Sequence, residues 1–279
     1  MTDSTILETR DIASAQKQTE QQEVNRLWAS LAAKATEIGL AGKELDKLKQ
    51  AFSLVDADSS QNGERGKRKN GDLELSHPVI VTLKVIETIK RHPDKIGKDV
   101  EVLMAALFHD YFEDVPHAVA ALNLLFAGDQ QTIAKVMGWA LDVTKVEMLP
   151  REASDMTISQ DLLAKTLGVS VVDYTDEGQL KKTRKAMEDT ATFHHIKQIA
   201  DKSLTAPLKE TIKEGYLVPL VIKMADRSHN LRTIGGLPKE RRKEVVDQTR
   251  TELLPMVHTF GFDREYAEIE ALCREALID

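Results

Sequence analysis

The sequence predicts an all-α protein, and three features of its 279 residues support this fold class. Apolar residues recur mainly three or four positions apart, which is the spacing of one face of a helix. The chain has eight prolines and fourteen glycines, so long stretches are free of helix breakers. Hydrophobic residues make up 42% of the chain, which is enough to form the buried core of one large domain.

Helical spacing places the predicted elements in order along the chain. Residues 1–20 are polar and lack an apolar face, so we expect a loose tail there. An amphipathic helix is predicted over 21–40, and Pro78 should lie in the first turn of a helix that ends at Arg91. Further helices are predicted over 45–55, 99–114, 117–126, 130–142, 178–202 and 217–234, with two amphipathic helices after them.

Composition and charge exclude several functional classes. Charged residues make up 30% of the chain, and its net charge of −7 would repel a nucleic-acid backbone, so no nucleic-acid partner is expected. Cys273 is the only cysteine, which excludes an internal disulfide and a cysteine-rich zinc site. No apolar run approaches the roughly 20 residues of a membrane helix, and the amino terminus lacks the layout of a signal peptide. We therefore expect no membrane partner and a cytoplasmic location.

Four ionisable residues crowd the end of the most apolar predicted helix. His109 and Asp110 are adjacent, and Glu113 and Asp114 follow one turn later. On a continuous helix, His109 and Glu113 would share one face, and Asp110 and Asp114 another. Burying these groups is costly unless a partner satisfies them, and a divalent cation is such a partner. Taken alone, a His-Asp pair is more often a capping or salt-bridged feature of structure.

Two further segments strengthen the metal interpretation. His77 follows a basic, glycine-containing loop and directly precedes Pro78, a position from which an imidazole can project into a cleft. On the predicted helix of residues 217–234, one polar stripe is formed by Lys223, Asp226, Asn230 and Thr233.

Two imidazoles and two carboxylates are thereby available as ligands. Such a mixed nitrogen and oxygen set suits one Mn²⁺, Fe²⁺ or Zn²⁺ ion and leaves positions open for water and substrate. An ion of this kind lowers the pKa of bound water and polarises a phosphoryl oxygen. The candidate ligands are His77, His109, Asp110 and Asp226.

Three motifs together resemble the hydrolase domain of the RelA/SpoT family, in particular its small stand-alone alarmone hydrolases. The family pattern Arg-Lys-x-Gly, followed after five residues by His-Pro, is present at residues 68–78. The pattern His-Asp-x-x-Glu-Asp is present at 109–114, and Lys-x-Ala-Asp-Arg-x-His-Asn-x-Arg-Thr is present at 223–233. A weaker match to Val-Thr-Lys lies at 143–145. The resemblance covers about residues 45–145 and 217–250, and the combination is far more specific than one His-Asp pair.

The resemblance implies a fold, a cofactor and a reaction. The fold is an HD-domain helical bundle, and the cofactor is one divalent ion, usually Mn²⁺, on the four candidate ligands named above. The reaction is removal of the 3′ pyrophosphate from the small-molecule nucleotide ppGpp or pppGpp, which returns GDP or GTP. Glu113 and Asp114 match the acidic pair that activates the water. The positions that match nucleotide contacts are Arg68, Lys69, Lys223, Asn230 and Thr233.

The resemblance also divides the chain. We expect residues 1–44 to form an N-terminal extension, a tail plus an accessory helix, and residues 45–279 to form the hydrolase domain. Residues 146–215 are an insertion that compact family members lack. A structureless loop of that length is improbable inside a compact domain, so we expect a helical lid or a contact between copies of the chain in a homo-oligomer.

The loop before His77 departs from the family pattern while keeping its charge. Leu73 and Glu74 stand where the family usually has Pro-Tyr, so a differently shaped loop is expected. A bis(diphosphate) is densely anionic, and local positive charge suits it on an otherwise acidic protein. That charge is offered by Arg65, Lys67, Arg68 and Lys69.

Two other functions remain open from the sequence. The chain could be an HD-type phosphohydrolase of another nucleotide or of a dinucleotide phosphate, or a module that binds the alarmone without catalysis. The Glu113 and Asp114 pair argues against the second, because a binding site gains nothing from two carboxylates beside an anionic ligand. About 45 residues follow Thr233, too few for the synthetase domain of long family members. We therefore expect the chain to degrade the alarmone without making it.

Overall fold

The computed structural model describes residues 3–61, 64–68, 71–115, 117–126, 129–143 and 191–278, and the backbone alone for residues 3–14, 60, 61, 64, 113 and 114. This part of the chain is all-α apart from one short antiparallel hairpin, β1 (Ser60–Gln61) with β2 (Glu64–Arg65). The fold class predicted from the sequence is therefore confirmed.

The helices are numbered in chain order. Before residue 144 they are α1 (Asp3–Glu37), α2 (Lys43–Asp58), α3 (Ser76–Arg91), α4 (Val100–Leu107), α5 (Tyr111–Asp114), α6 (Ala118–Leu125) and α7 (Gln130–Val143). After residue 190 they are α8 (191–201), α9 (Leu208–Glu214), α10 (Val218–Arg232), α11 (Lys239–Gln248), α12 (Leu254–Thr259) and α13 (Asp263–Glu275). A π-helical turn, Thr249–Leu253, joins α11 to α12.

Helices α3, α4 and α10 form the centre of the bundle. Helix α3 packs against both of the others, while α4 also packs against α2 and α7, and α10 also packs against α7 and α13. The side chains at these contacts are apolar and fully buried, among them Val81, Ile86, Leu103 and Leu220. The bundle therefore brings together the three segments that carry the family motifs.

Helix α1 is longer than the sequence predicts. The loose tail expected at residues 1–20 is wrong, because α1 begins at Asp3 and runs without a break for 35 residues. No glycine or proline occurs before Gly39, and the segment is rich in residues of high helix propensity. The helix therefore continues through residues 3–20, although these lack an apolar face. Neither α1 nor any other described helix is long and apolar enough to cross a membrane.

The helix predicted over 99–114 is interrupted. Helix α4 ends at Leu107, and residues 108–110 form a turn before α5 begins. The ring of Phe108 is fully buried and lies 5.1 Å from the ring of Tyr111, between centroids. The Ala106 carbonyl accepts a hydrogen bond from Nδ1 of His109 at 2.8 Å, which satisfies a carbonyl that the end of a helix leaves open. The expectation that His109 and Asp110 lie on a continuous helix is therefore wrong.

The helices predicted over 117–126, 130–142 and 217–234 are confirmed to within two residues at each end. Most of the predicted insertion, and Thr144 and Lys145 of the Val-Thr-Lys match, lie outside the described residues. The helix predicted over 178–202 is confirmed for residues 191–201. Its Phe193 and Ile196 are buried in the same core as the central helices, so this helix packs as part of the bundle.

Gly215 ends α9 and leads the chain into α10. Its φ of 66° lies in the left-handed region that favours glycine. A Cβ atom at this position would lie 2.4 Å from the ring of Trp139, which is closer than van der Waals contact allows. Both the backbone conformation and the close approach to Trp139 therefore require glycine where α9 ends.

Replacing Leu103 with alanine should destabilise the fold, because this fully buried side chain fills the contact between α4 and its neighbours. The expected loss is about 2–5 kcal/mol in the free energy of unfolding, measured by urea denaturation. Leu124→Ala is the matched control, since this leucine is 82% exposed and its truncation should change stability by less than about 0.5 kcal/mol. Equal losses in the two variants would contradict the described core.

Candidate metal centre

Four residues from three separate segments meet between the central helices. His77 lies in the first turn of α3, His109 and Asp110 lie in the turn after α4, and Asp226 lies in the middle of α10. The Nε2 atoms of the two histidines are 3.1 Å apart. Oδ2 of Asp110 lies 3.2 Å from Nε2 of His77 and 3.3 Å from Nε2 of His109. Oδ1 of Asp226 lies 3.5 Å and 3.9 Å from the same two nitrogens.

Four of these five distances fit neighbouring ligands of one divalent cation, and the fifth, 3.9 Å between Oδ1 of Asp226 and Nε2 of His109, is slightly longer. Nitrogen and oxygen ligands lie about 2.0–2.2 Å from such an ion, so neighbouring ligand atoms stand about 3 to 3.6 Å apart. His77, His109 and Asp226 form a buried group that could hold a metal ion. Asp110 is not part of that buried group, but Oδ2 of its carboxylate lies within 3.3 Å of both imidazole nitrogens. The mixture of imidazole and carboxylate is the donor set that Mn²⁺, Fe²⁺ and Zn²⁺ accept.

The cluster is open to solvent on one side only. The side chains of His77, His109 and Asp226 are 4%, 3% and 10% exposed, whereas that of Asp110 is 48% exposed. An incoming water or anionic ligand would therefore approach on the Asp110 side.

The charges of the cluster stabilise one another. Burial opposes the charged form of His109, but the carboxylates of Asp110 and Asp226 outweigh it and raise the pKa of His109 to about 9. Loss of solvation likewise opposes ionisation of Asp110, yet the charge of His109 holds the pKa of this carboxyl well below its ordinary value. Burial opposes ionisation of Asp226 as well, and Lys223, with Nζ 3.5 Å from Oδ2, lowers the pKa of Asp226. The site therefore carries negative charge that a proton or a cation must balance.

His229 is a site residue to which the sequence analysis assigns no role. It is buried, and its Nδ1 lies 2.8 Å from Nδ1 of His77. Burial, with smaller contributions from the neighbouring His77 and Arg68, lowers the pKa of His229 to about 4, so its ring is neutral at neutral pH. The signal in the sequence is its position three residues after Asp226 on a core helix, which places both on one face.

The polar stripe of α10 is confirmed as a connected set, but its contacts are internal to the protein. Asn230 donates a hydrogen bond from Nδ2 to Oδ1 of Asp226 at 2.6 Å. The hydroxyl of Thr233 donates to the carbonyls of His229 and Asn230 at 3.2 and 3.3 Å. Lys223 pairs with Asp226 and lies 5.9 Å from the ring centroid of Phe193. Contact of these side chains with a nucleotide stays a prediction.

The basic loop before His77 is partly neutralised. Arg65 forms two hydrogen bonds to the carboxylate of Asp56, at 2.9 and 3.1 Å, and Lys67 lies 2.9 Å from Glu20 of α1. Arg65 and Lys67 are thus each paired with a carboxylate, and contact of their charges with a nucleotide stays a prediction.

Arg68 occupies a different position in the same loop. Its backbone N–H donates to the Asp72 carbonyl at 2.8 Å, so it lies where the loop turns back. Its charge is close enough to His229 to help lower the pKa of that imidazole. Lys69 lies outside the described residues.

Glu113 and Asp114 are described by their backbone alone. Both lie in α5, which begins directly after Asp110. Because α4 has already ended, the face that His109 was expected to share with Glu113 does not continue through this segment. Their role in activating water stays a prediction.

No protein-family model matches the chain, but several curated proteins are similar to it. The bifunctional (p)ppGpp synthase/hydrolase SpoT of Escherichia coli (strain K12) is 25% identical over 235 residues, which cover 84% of this chain and 24% of that protein. A guanosine-3′,5′-bis(diphosphate) 3′-pyrophosphohydrolase of Haemophilus influenzae is 23% identical over 211 residues, 75% of this chain and 22% of that protein. A GTP pyrophosphokinase of Streptomyces antibioticus is 27% identical over 207 residues, 74% of this chain and 17% of that protein.

The chain therefore spans about a quarter or less of the length of these relatives. Their names describe both hydrolysis and synthesis of the alarmone. The resemblance to RelA/SpoT-type enzymes that the motifs indicate is confirmed by these similarities.

Binding of Mn²⁺ to the metal-free protein should release about one proton at pH 8. With a pKa of about 9, His109 is mostly protonated there, and a metal ion needs the nitrogen lone pair that the proton occupies. Affinity should therefore rise about tenfold per pH unit and level off above a pH of about 9. Calorimetry in two buffers with different ionisation enthalpies measures the proton count, and identical heats in both buffers would contradict the charge state given for His109.

Proposed function

We propose that this chain, a distant relative of the RelA/SpoT enzymes, is a metal-dependent 3′-pyrophosphohydrolase of guanosine-3′,5′-bis(diphosphate). The observation that carries the proposal is the meeting of His77, His109, Asp110 and Asp226 at one point that opens to solvent beside Asp110. Phosphoester hydrolysis needs a cation site with room for a water and an anionic substrate, and this cluster meets that need. The names of the relatives suggest the substrate class.

The four clustered side chains are the residues that would hold the ion, with Mn²⁺ as our first choice and Fe²⁺ or Zn²⁺ as alternatives. When bound, such an ion lowers the pKa of a water molecule and polarises a phosphoryl oxygen. His109 keeps its Nε2 directed into the cluster because its Nδ1 donates to the Ala106 carbonyl. Asn230 restrains the carboxylate of Asp226 in the same way, through a hydrogen bond of 2.6 Å. The protein thus holds its ligand atoms in place before any ion or substrate arrives.

Glu113 and Asp114 are our candidates for the groups that accept a proton from the attacking water. They belong to the single helical turn that begins directly after Asp110, which is the most exposed of the four clustered residues. Carboxylates in this position act as general bases. Hydrolysis joins the water oxygen to the phosphorus on O3′, breaks the bond between O3′ and phosphorus, and leaves a proton on O3′.

The basic residues near the cluster would bind the phosphates of the nucleotide that are not cleaved. Arg68 is the described cation of the basic loop whose charge reaches His229, so it lies near the cluster. We assign Arg68 and Lys69 to phosphate contacts, because guanidinium and ammonium groups bind phosphate oxygens with charge-assisted hydrogen bonds. Asn230 and Thr233, at the end of α10, are our candidates for the nucleoside side of the substrate. Lys223 acts first on Asp226, its ion-pair partner.

Hydrolysis is favoured over synthesis by the kind of site that the chain forms. Relatives named GTP pyrophosphokinase are also similar to it, so synthesis is the competing function. Synthesis requires two nucleotides bound together, whereas hydrolysis requires one nucleotide and water. A small, deeply buried ligand cluster with one open side suits the second requirement.

The test is incubation of the purified chain with ppGpp and Mn²⁺, with and without a chelator, followed by separation of the products. We expect equal amounts of GDP and pyrophosphate, and loss of turnover with the chelator. Asp110→Asn should lower turnover at least about 100-fold. Loss of a metal ligand lowers activity more than loss of a residue that hydrogen-bonds to a ligand, and the latter typically costs about 10- to 100-fold. Asp263→Asn is the matched control, because this carboxylate is 80% exposed and lies at the start of α13.

Each other outcome identifies a different function. Release of inorganic phosphate would indicate a different phosphohydrolase, and binding of ppGpp without turnover would indicate a binding module. Formation of ppGpp from GDP and ATP would indicate a synthase. Pyrophosphate release that is unaffected by both the chelator and Asp110→Asn would overturn the proposed site.

A further inference from the structure

The second nitrogen of His77 makes an unusual contact. While Nε2 of His77 points into the metal cluster, its Nδ1 lies 2.8 Å from Nδ1 of His229. Two imidazole nitrogens at this distance can share only one proton, so one of them donates and the other accepts. The direction of this hydrogen bond decides which nitrogen of His77 has a lone pair.

Metal binding requires one direction. For Nε2 of His77 to act as a ligand it must carry a lone pair, so the proton of the neutral ring must lie on Nδ1. Nδ1 of His229 must then accept this proton, and the proton of His229 must lie on its own Nε2. His229 thereby selects the tautomer of His77 that can bind a metal ion.

In His109, by contrast, a backbone carbonyl rather than a side chain accepts the Nδ1 proton. Its Nδ1 donates to the backbone carbonyl of Ala106 at 2.8 Å, an acceptor that can never donate. The tautomer of His109 is therefore set by the backbone, whereas the tautomer of His77 depends on a side chain that mutation can change.

The position of His229 is itself well determined. Its side chain is buried, and its ring centroid lies 4.7 Å from that of His77 with the rings tilted by 54°. It lies three residues after Asp226 on α10, so one helix supplies both a carboxylate of the cluster and the partner of His77. Nδ1 of His229 contacts Nδ1 of His77, whereas Nε2 of His77 contacts His109, so the His77 ring separates His229 from the point where the Nε2 atoms meet.

We propose that His229 is a positioning residue that holds His77 in its metal-binding tautomer and ring orientation by accepting a hydrogen bond from Nδ1. This inference deepens the proposed function and rests on it, because it concerns the same metal site. Removal of a group that hydrogen-bonds to the second nitrogen of a metal-bound histidine typically lowers metal affinity by about 10- to 100-fold. His229 would thus control metal occupancy without touching the ion.

The test compares two substitutions by calorimetric titration with Mn²⁺ in the absence of nucleotide. In His229→Leu the space is filled but no acceptor remains, so Mn²⁺ affinity should fall about 10- to 100-fold. In His229→Asn the amide oxygen can stand near the former Nδ1, so affinity should stay within about threefold of the original protein. Ser228→Ala is the matched control on the same helix, because its buried hydroxyl donates only to the Met224 carbonyl among the described contacts.

The two variants separate positioning from packing. A role in packing alone would make leucine the better replacement, and affinity that is retained in His229→Leu while it falls in His229→Asn would overturn the proposal. Circular dichroism and melting temperature establish that each variant is folded, and only folded variants enter the comparison. Failure of the proposed reaction is a distinct result, because Mn²⁺ affinity is measured without ppGpp. A protein that shows the predicted affinities yet no turnover retains the role of His229 and loses the assigned reaction.

Discussion

Two imidazole nitrogens that lie 3.1 Å apart, with two carboxylates facing both, are the contact on which the rest of the site depends. Their surroundings are apolar helices, where uncompensated charge is costly. Without an ion, a proton on His109 balances part of the negative charge, which is why its pKa rises to about 9. A divalent cation would balance more of this negative charge and would bind the nitrogen and oxygen lone pairs that point into the cluster. The charge state of the cluster is therefore set by charge balance in a buried place.

The helical bundle serves this cluster by holding three distant segments in register. Helix α3 packs against both α4 and α10, so these helix contacts fix His77 relative to the other ligands. The end of α4 is equally important, because the turn at residues 108–110 turns His109 back onto the Ala106 carbonyl. Hydrogen bonds from Asn230 and to His229 then restrain Asp226 and His77. Orientation of the ligands is thus built into the fold.

The sequence predicts the fold class, most of the helices and the proximity of the four clustered residues, because helical spacing and short motifs are local signals. It fails where contacts of particular side chains decide, whether these are local or distant in the sequence. The break after Leu107 depends on burial of Phe108 and on the bond between His109 and Ala106, neither of which is a periodic signal. Neutralisation of Arg65 and Lys67 depends on α1 and α2 folding over the loop. The contact between His77 and His229 joins positions 152 residues apart, so only the folded chain shows it.

The most direct measurement is anomalous diffraction at the manganese edge from crystals grown with Mn²⁺. The account predicts one strong peak that lies about 2.0–2.3 Å from Nε2 of both His77 and His109 and from one oxygen each of Asp110 and Asp226. A peak elsewhere in the molecule, or no peak with the two imidazoles still in contact, would contradict it.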